Sequence, residues 1–166
     1  MRDLPVIVVM GVSGSGKTTV GTRLADALGV AYTEGDDFHP PANIAKMAAG
    51  TPLDDADRAP WLDALAAAMA ERSDRGAVVA CSALKRVYRD RLRATVPEAF
   101  FLHLDVPRVE LERRITNRRE HFLPPSLLDS QLATLEPLDA DEKGVTVDAT
   151  RTPEELVREV VAMLGR

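Results

Sequence analysis

The chain has 166 residues, enough for one domain with a sizeable core, and its 45% hydrophobic and 28% charged residues exclude a disordered or fibrous polymer. A net charge of −5 argues against a general nucleic-acid or anionic-membrane surface, so a site for anions must be locally basic within an acidic protein, built from arginines and backbone amides. Cys81 is the one cysteine, which excludes an intramolecular disulfide and a multi-cysteine metal site.

In chain order, the amino terminus runs almost directly into the apolar stretch 6–10, with no charged leader, long apolar segment or cleavage site, and this predicts a cytoplasmic protein. The stretch reads as a buried parallel strand. It is followed by Gly11-Val12-Ser13-Gly14-Ser15-Gly16-Lys17-Thr18, which meets the phosphate-binding pattern G-x-x-x-x-G-K-[ST] at every fixed position. Thr19 continues into a predicted helix over 17–28. The order strand, glycine loop, helix is the one the chemistry needs. Glycines let the backbone curl so that several N–H groups point inward at phosphates, and the positive end of the helix dipole adds to the attraction. Lys17 would reach the β- and γ-phosphates of a nucleoside triphosphate and the Thr18 hydroxyl would hold Mg²⁺.

A second strand is predicted at 31–33, and after it comes Glu34-Gly35-Asp36-Asp37-Phe38-His39-Pro40. A carboxylate there can face the glycine loop, orient an attacking hydroxyl and accept its proton, which makes Asp36 the candidate base. Glu34 shares a face with Asp36 in an extended segment and is a candidate metal contact. Asp37 reads as part of a polar turn. His39 has two readings, a contact to a sugar hydroxyl or a brace for the loop. Further on, Arg58 sits among Asp54, Asp55 and Asp57 just before a helix predicted at 59–72. It either clamps a substrate carboxylate with its planar fork or pairs with Asp54 or Asp57. Trp61, the sole tryptophan, reads as core.

The third predicted strand, 77–81, ends at Cys81, read as a small buried hydrophobe, and at Ser82, where many ATPases of this motif class carry an acid. Lys85, Arg86 and Arg89 add positive charge at the start of a helix predicted at 85–95, with Arg91 and Arg93 on a solvated face. A strand at 100–104 and a helix at 108–118 follow. Arg114 and Arg118, four apart, can project to the same side, and an arginine-bearing lid would exclude water and stabilise charge on a transferring phosphoryl group. A strand at 145–147 and a helix at 153–164, started by Thr152 and Pro153, complete the chain.

Strands alternating with helices predict an α/β fold in three layers, a five-stranded parallel sheet with helices on both faces. Two segments, 36–57 and 118–139, fall outside the alternation. In such a fold substrates bind beyond the carboxyl ends of the strands, so these are read as substrate-binding and lid segments of one domain over 1–166, the first extending to about 36–73.

The glycine loop, Gly35-Asp36-Asp37-Phe38-His39-Pro40, Asn43-Ile44-Ala45-Lys46-Met47, the run from Pro52 to Leu62, Cys81-Ser82-Ala83-Leu84-Lys85, His121-Phe122-Leu123, Ser130-Gln131 and Thr134-Leu135-Glu136 together closely resemble the small bacterial-type gluconokinases. The resemblance covers nearly the whole chain. It implies the P-loop kinase fold shared with shikimate and nucleoside monophosphate kinases, a mobile lid, commonly a homodimer, and ATP with Mg²⁺. It implies phosphorylation of D-gluconate on its 6-hydroxyl, giving 6-phospho-D-gluconate and ADP, a step of gluconate catabolism feeding the pentose phosphate or Entner–Doudoroff routes. By resemblance, Lys17, Asp36 and Arg118 are catalytic. Arg58 binds the carboxylate, His39, Lys85, His121 and Gln131 contact the acceptor, and Arg118 is the lid arginine at ATP. Three positions depart from the family pattern: Glu120 stands in place of a glycine, Leu123 in place of methionine or phenylalanine, and Glu34 in place of an aspartate. The closest rival is a kinase of another small hydroxy acid, such as a shikimate-like acceptor. A nucleotide-dependent switch would carry an N-K-x-D guanine-reading motif, which the sequence lacks.

Overall fold

Every residue of β1 (Val6–Met10) is buried, as a strand covered on both faces requires. The computed structural model describes residues 5–116 and 125–165. With β2 (Ala31–Glu34), β3 (Ala77–Ala80), β4 (Phe100–Asp105) and β5 (Gly144–Asp148), β1 builds one parallel sheet in the order β2-β3-β1-β4-β5. Val8 lies opposite Val79 on one side and Phe101 on the other. The chain fills one side of β1 with β2 and β3 before crossing to β4 and β5, and that reversal opens a crevice at the carboxyl ends of the central strands.

Seven helices connect and cover the strands among the described residues: α1 (Lys17–Leu28), α2 (Pro41–Ala48), α3 (Asp55–Glu71), α4 (Arg86–Thr95), α5 (Arg108–Thr116), α6 (Pro125–Thr134) and α7 (Pro153–Met163). α1 packs on α7 through an apolar set that includes Val20, Leu24, Leu156 and Val160, and α3 packs on α4 through a set that includes Trp61, Leu65 and Leu92. Both sets join one core with the strands, which is the three-layer α/β architecture the alternation predicts. Cys81 is buried in that core, and burial pushes its thiol up to about 12.

Two features differ from the sequence expectation. α3 begins at Asp55 and not at 59, because Asp54 and Asp57 form a capping box: the Asp57 amide donates to Asp54 Oδ1 at 2.7 Å and the Asp54 amide donates to Asp57 Oδ2 at 3.0 Å. That closure outweighs Pro60, which forfeits one backbone bond inside the helix. The segments outside the alternation contain helices of their own, α2 with Pro41 at its first position, and α6.

Candidate active site

The loop after β1 turns into α1 through Gly16, whose φ of 96° is a left-handed conformation that a side chain resists. Lys17 folds back over the loop and donates from Nζ to the Gly11 carbonyl at 3.0 Å and the Val12 carbonyl at 3.1 Å, so its charge is held where phosphates would lie. Thr18 Oγ1 donates to Glu34 Oε2 at 2.8 Å, and the Tyr32 hydroxyl donates to the same oxygen at 2.7 Å. The end of β2 and the start of α1 thus meet at one carboxylate. Gln131 of α6 spends its amide on the loop: it accepts from the Ser13 amide at 2.7 Å and donates to Ser13 Oγ at 3.0 Å. Arg114 holds the loop from behind, donating to the Gly14 and Ser15 carbonyls at 3.1 and 3.3 Å and to Ala149 at 2.7 Å.

On the acceptor side, Gly35 passes so close to β3 that a Cβ would lie 2.2 Å from the Ala80 carbonyl oxygen, which no side chain tolerates. Its carbonyl accepts from Trp61 Nε1 at 2.8 Å. This close passage sets Asp36 at the cleft, with its side chain 74% accessible. His39 is buried beside it, with Nε2 3.7 Å from Asp36 Oδ1 and its ring stacked on Trp61 at 4.1 Å between centroids. Asn43 Nδ2 donates to the Asp57 carbonyl at 2.8 Å and meets His39 Nδ1 at 3.1 Å. An amide donor at Nδ1 makes that nitrogen an acceptor and leaves the ring proton on Nε2, facing Asp36. His39 beside it, and then the Lys17 charge, hold the Asp36 carboxyl below its usual range. His39 therefore lines the cleft and braces the loop at once.

Arg58 does not pair with Asp54 or Asp57. Asp57 goes to Lys46 at 2.7 Å, while Arg58 Nη1 donates to the Leu53 carbonyl at 2.6 Å and to the Tyr88 hydroxyl at 3.0 Å. Lys85 stands outside the cleft lining, paired with Asp55 at 3.3 Å. Arg86 and Arg89 are not the free positive charge that their sequence position suggests. Arg86 pairs with Asp139 and Asp141 on the surface. Arg89 is fully buried, forked onto Glu142 at 2.7 and 3.0 Å, and donates to the Ala83 carbonyl at 2.8 Å. Ala83, with φ of 47°, is the one non-glycine residue of positive φ among those described, and Arg89 fixes it at the end of β3.

One cleft of about 830 Å³ gathers most of the candidates. Ser13, Gly14, Gly16, Lys17, Thr18 and Thr19 line its phosphate end, and Glu34, Asp36, His39, Arg58 and Gln131 line the rest. Gly11, Val12 and Ser15 shape the loop from beneath and do not line the cleft. Arg118 and His121 lie outside the described residues. The described lining is not basic as the sequence predicts: Lys17 and Arg58 are matched by Glu34 and Asp36. Sequence reasoning missed Tyr88, and Trp61 proves to be both core and cleft wall.

A family model described as "AAA domain" matches residues 6–138. A gluconokinase from Gluconobacter oxydans is 49% identical over 157 residues, 93% of this chain and 88% of that protein. The solved structure of a gluconokinase from Sinorhizobium meliloti superposes with a TM-score of 0.90 at 47% identity, covering 100% of this chain and 94% of that one. The chain belongs to the gluconokinase family. A shikimate kinase from Acinetobacter baumannii, with a TM-score of 0.61 at 15% identity over 97% of this chain and 93% of its own, shares the fold alone. Within the gluconokinase framework the pairing of Thr18 with Glu34 offers hard oxygen donors at the mouth of the phosphate loop, and these fit Mg²⁺. Mg²⁺ keeps waters and phosphate oxygens as ligands, so two protein groups suffice, and the described residues hold no cluster of three acidic, histidine or cysteine ligands.

Proposed function

We propose that this chain phosphorylates D-gluconate on its 6-hydroxyl with ATP, releasing 6-phospho-D-gluconate and ADP. One observation carries the reading: a single cleft joins the phosphate loop and Lys17 to Asp36 and to an Arg58 that forms no ion pair among the described residues. A cation of that kind suits a carboxylate acceptor, and the family relationship supplies its carbon skeleton.

Lys17 and the loop amides hold the β- and γ-phosphates, and Thr18 with Glu34 holds Mg²⁺. Held by Thr18 and Glu34, Mg²⁺ would supply positive charge that offsets the charge on the phosphates. Arg58 fixes the acceptor carboxylate, His39 contacts the polyol, and Asp36 orients the 6-hydroxyl. The oxygen of that hydroxyl bonds to the γ-phosphorus as the bond to the β-bridging oxygen breaks, and its proton passes to Asp36. Because phosphoryl transfer is loose, a weakly basic carboxylate is adequate for this late proton. Gln131 reaches the acceptor by exchanging Ser13 for it, while Lys85 stays on Asp55 outside the cleft lining. Segment 36–73 receives the acceptor, and segment 118–139, with Arg118 and His121, closes over ATP. ADP release with Mg-ATP is measured against D-gluconate, shikimate, neutral sugars, nucleoside monophosphates and no acceptor. Selective stimulation by gluconate is expected, and stimulation by another acceptor alone overturns the substrate.

A further inference from the structure

We propose that Tyr88, a core residue of α4 that does not line the cleft, is the positioning residue that keeps Arg58 available for the acceptor carboxylate. The inference rests on the gluconate reading of the cleft.

The Tyr88 hydroxyl lies between two charges. It donates to Asp55 Oδ1 at 2.5 Å, and Arg58 Nη1 donates to it at 3.0 Å. An ionised carboxylate only accepts, so the hydroxyl proton is committed to Asp55 and its lone pair is turned to Arg58. The bond from Tyr88, then Lys85, holds the Asp55 carboxyl below its usual range, in keeping with that polarity. The Tyr88 ring supports the same arrangement, with the Arg58 guanidinium 5.1 Å and Lys85 Nζ 5.6 Å from its centroid.

The consequence lies in which donors are used. Both hydrogen bonds of Arg58, to Tyr88 and to the Leu53 carbonyl, fall on Nη1. The edge formed by Nε and Nη2 makes no hydrogen bond to the described residues, and two parallel N–H groups on one edge are what a carboxylate accepts in a bidentate pair. Asp55 would be the natural ion-pair partner of Arg58, three residues away on the first turn of α3. The Tyr88 hydroxyl stands between them, and Lys85 absorbs the Asp55 charge at 3.3 Å. Arg58 is thereby oriented without being neutralised.

The test is a double-mutant cycle of Tyr88→Phe and Arg58→Ala on the full chain, with Mg-ATP and either D-gluconate or its neutral amide, D-gluconamide. Tyr88→Phe is expected to raise KM for gluconate about tenfold, with kcat and KM for ATP within about twofold. The preference for gluconate over gluconamide falls by a similar factor, which a loosened fold would not produce, since it would harm both acceptors alike. Beside Arg58→Ala, the added Tyr88→Phe change is expected to alter kcat/KM less than about twofold. Asp55→Ala, at an exposed position, releases the Tyr88 proton and is expected to lower the same preference at least about threefold, which serves if Tyr88→Phe does not fold. An unchanged preference in the folded variants, or an equal Tyr88→Phe effect with and without Arg58, overturns the proposal. Absence of wild-type turnover with gluconate would instead overturn the substrate reading, and the cycle is then run on the acid that is turned over and its amide.

Discussion

Among single residues, the proposed mechanism divides the chemistry between Asp36 and Lys17. Lys17 is fixed against the loop carbonyls and brings its charge to the phosphate end, so Lys17→Ala is expected to lower kcat/KM by about 10²-fold or more in an ADP-release assay. In the proposed mechanism Asp36 orients the acceptor and takes its proton. Asp36→Asn is expected to lower kcat by about 10²-fold or more while leaving the equilibrium affinity for ATP within about twofold. The pH dependence follows from His39 and Lys17, which pull the Asp36 carboxyl below its ordinary value of 3.8. A depressed carboxyl contributes stability that is present above its unfolded-state pKa and lost as pH falls through its folded-state pKa. Asp36 therefore stays ionised across neutral pH, and no acid limb of kcat/KM between about pH 5 and 8 disappears in Asp36→Asn. An acid limb in that window that vanishes with this substitution would contradict the assignment.

At the scale of elements, the site depends on a polar keystone beneath it. Burial alone would raise the Glu142 carboxyl, but hydrogen bonds from Arg89, the Asp139 amide and Arg93 outweigh it and bring it down to about 2. The group joins α4 to the segment before β5 and holds Ala83 at the end of β3. Arg89→Ala leaves a buried carboxylate without its fork and is expected to cost about 3–5 kcal/mol in urea unfolding, whereas the paired change Arg89→Met with Glu142→Met costs less. Glu142 adds stability above its ordinary value of 4.5, and this is lost as pH falls toward about 2, so Glu142→Gln flattens the acid limb of stability in that window. Features of this kind were illegible in the sequence. The glycine loop, Asp36 and the α7 cap are local patterns, readable because their partners lie within a few residues. Arg89 with Glu142, Lys85 with Asp55 and Gln131 with Ser13 are brought together across the fold, and nothing in local spacing says which acid a given cation meets. α3 shows the same limit in backbone form: the capping-box residues Asp54 and Asp57 are present in the sequence, yet the predicted helix starts at 59 and the observed one at Asp55.

For the whole molecule, the balance of charge matters more than its sum. The chain is acidic, and the described cleft lining is neutral, with Lys17 and Arg58 set against Glu34 and Asp36. In the proposed mechanism backbone amides, a divalent cation and Arg118 supply the remaining attraction for a triphosphate. Removal of Mg²⁺ with a chelator is expected to abolish turnover and to weaken ATP binding at least about tenfold by calorimetry, and equal affinity with and without Mg²⁺ would contradict this balance. No helix among the described residues is long and apolar enough to cross a membrane. Transfer of phosphate in this cleft to the terminal hydroxyl of gluconate is read out by proton-coupled ³¹P NMR of the chain with Mg-ATP and D-gluconate. ADP is expected together with, in equal amount, a phosphomonoester signal split into a triplet by the two protons on C6; a doublet from a secondary carbon, or inorganic phosphate as the sole second product, would refute transfer to that hydroxyl.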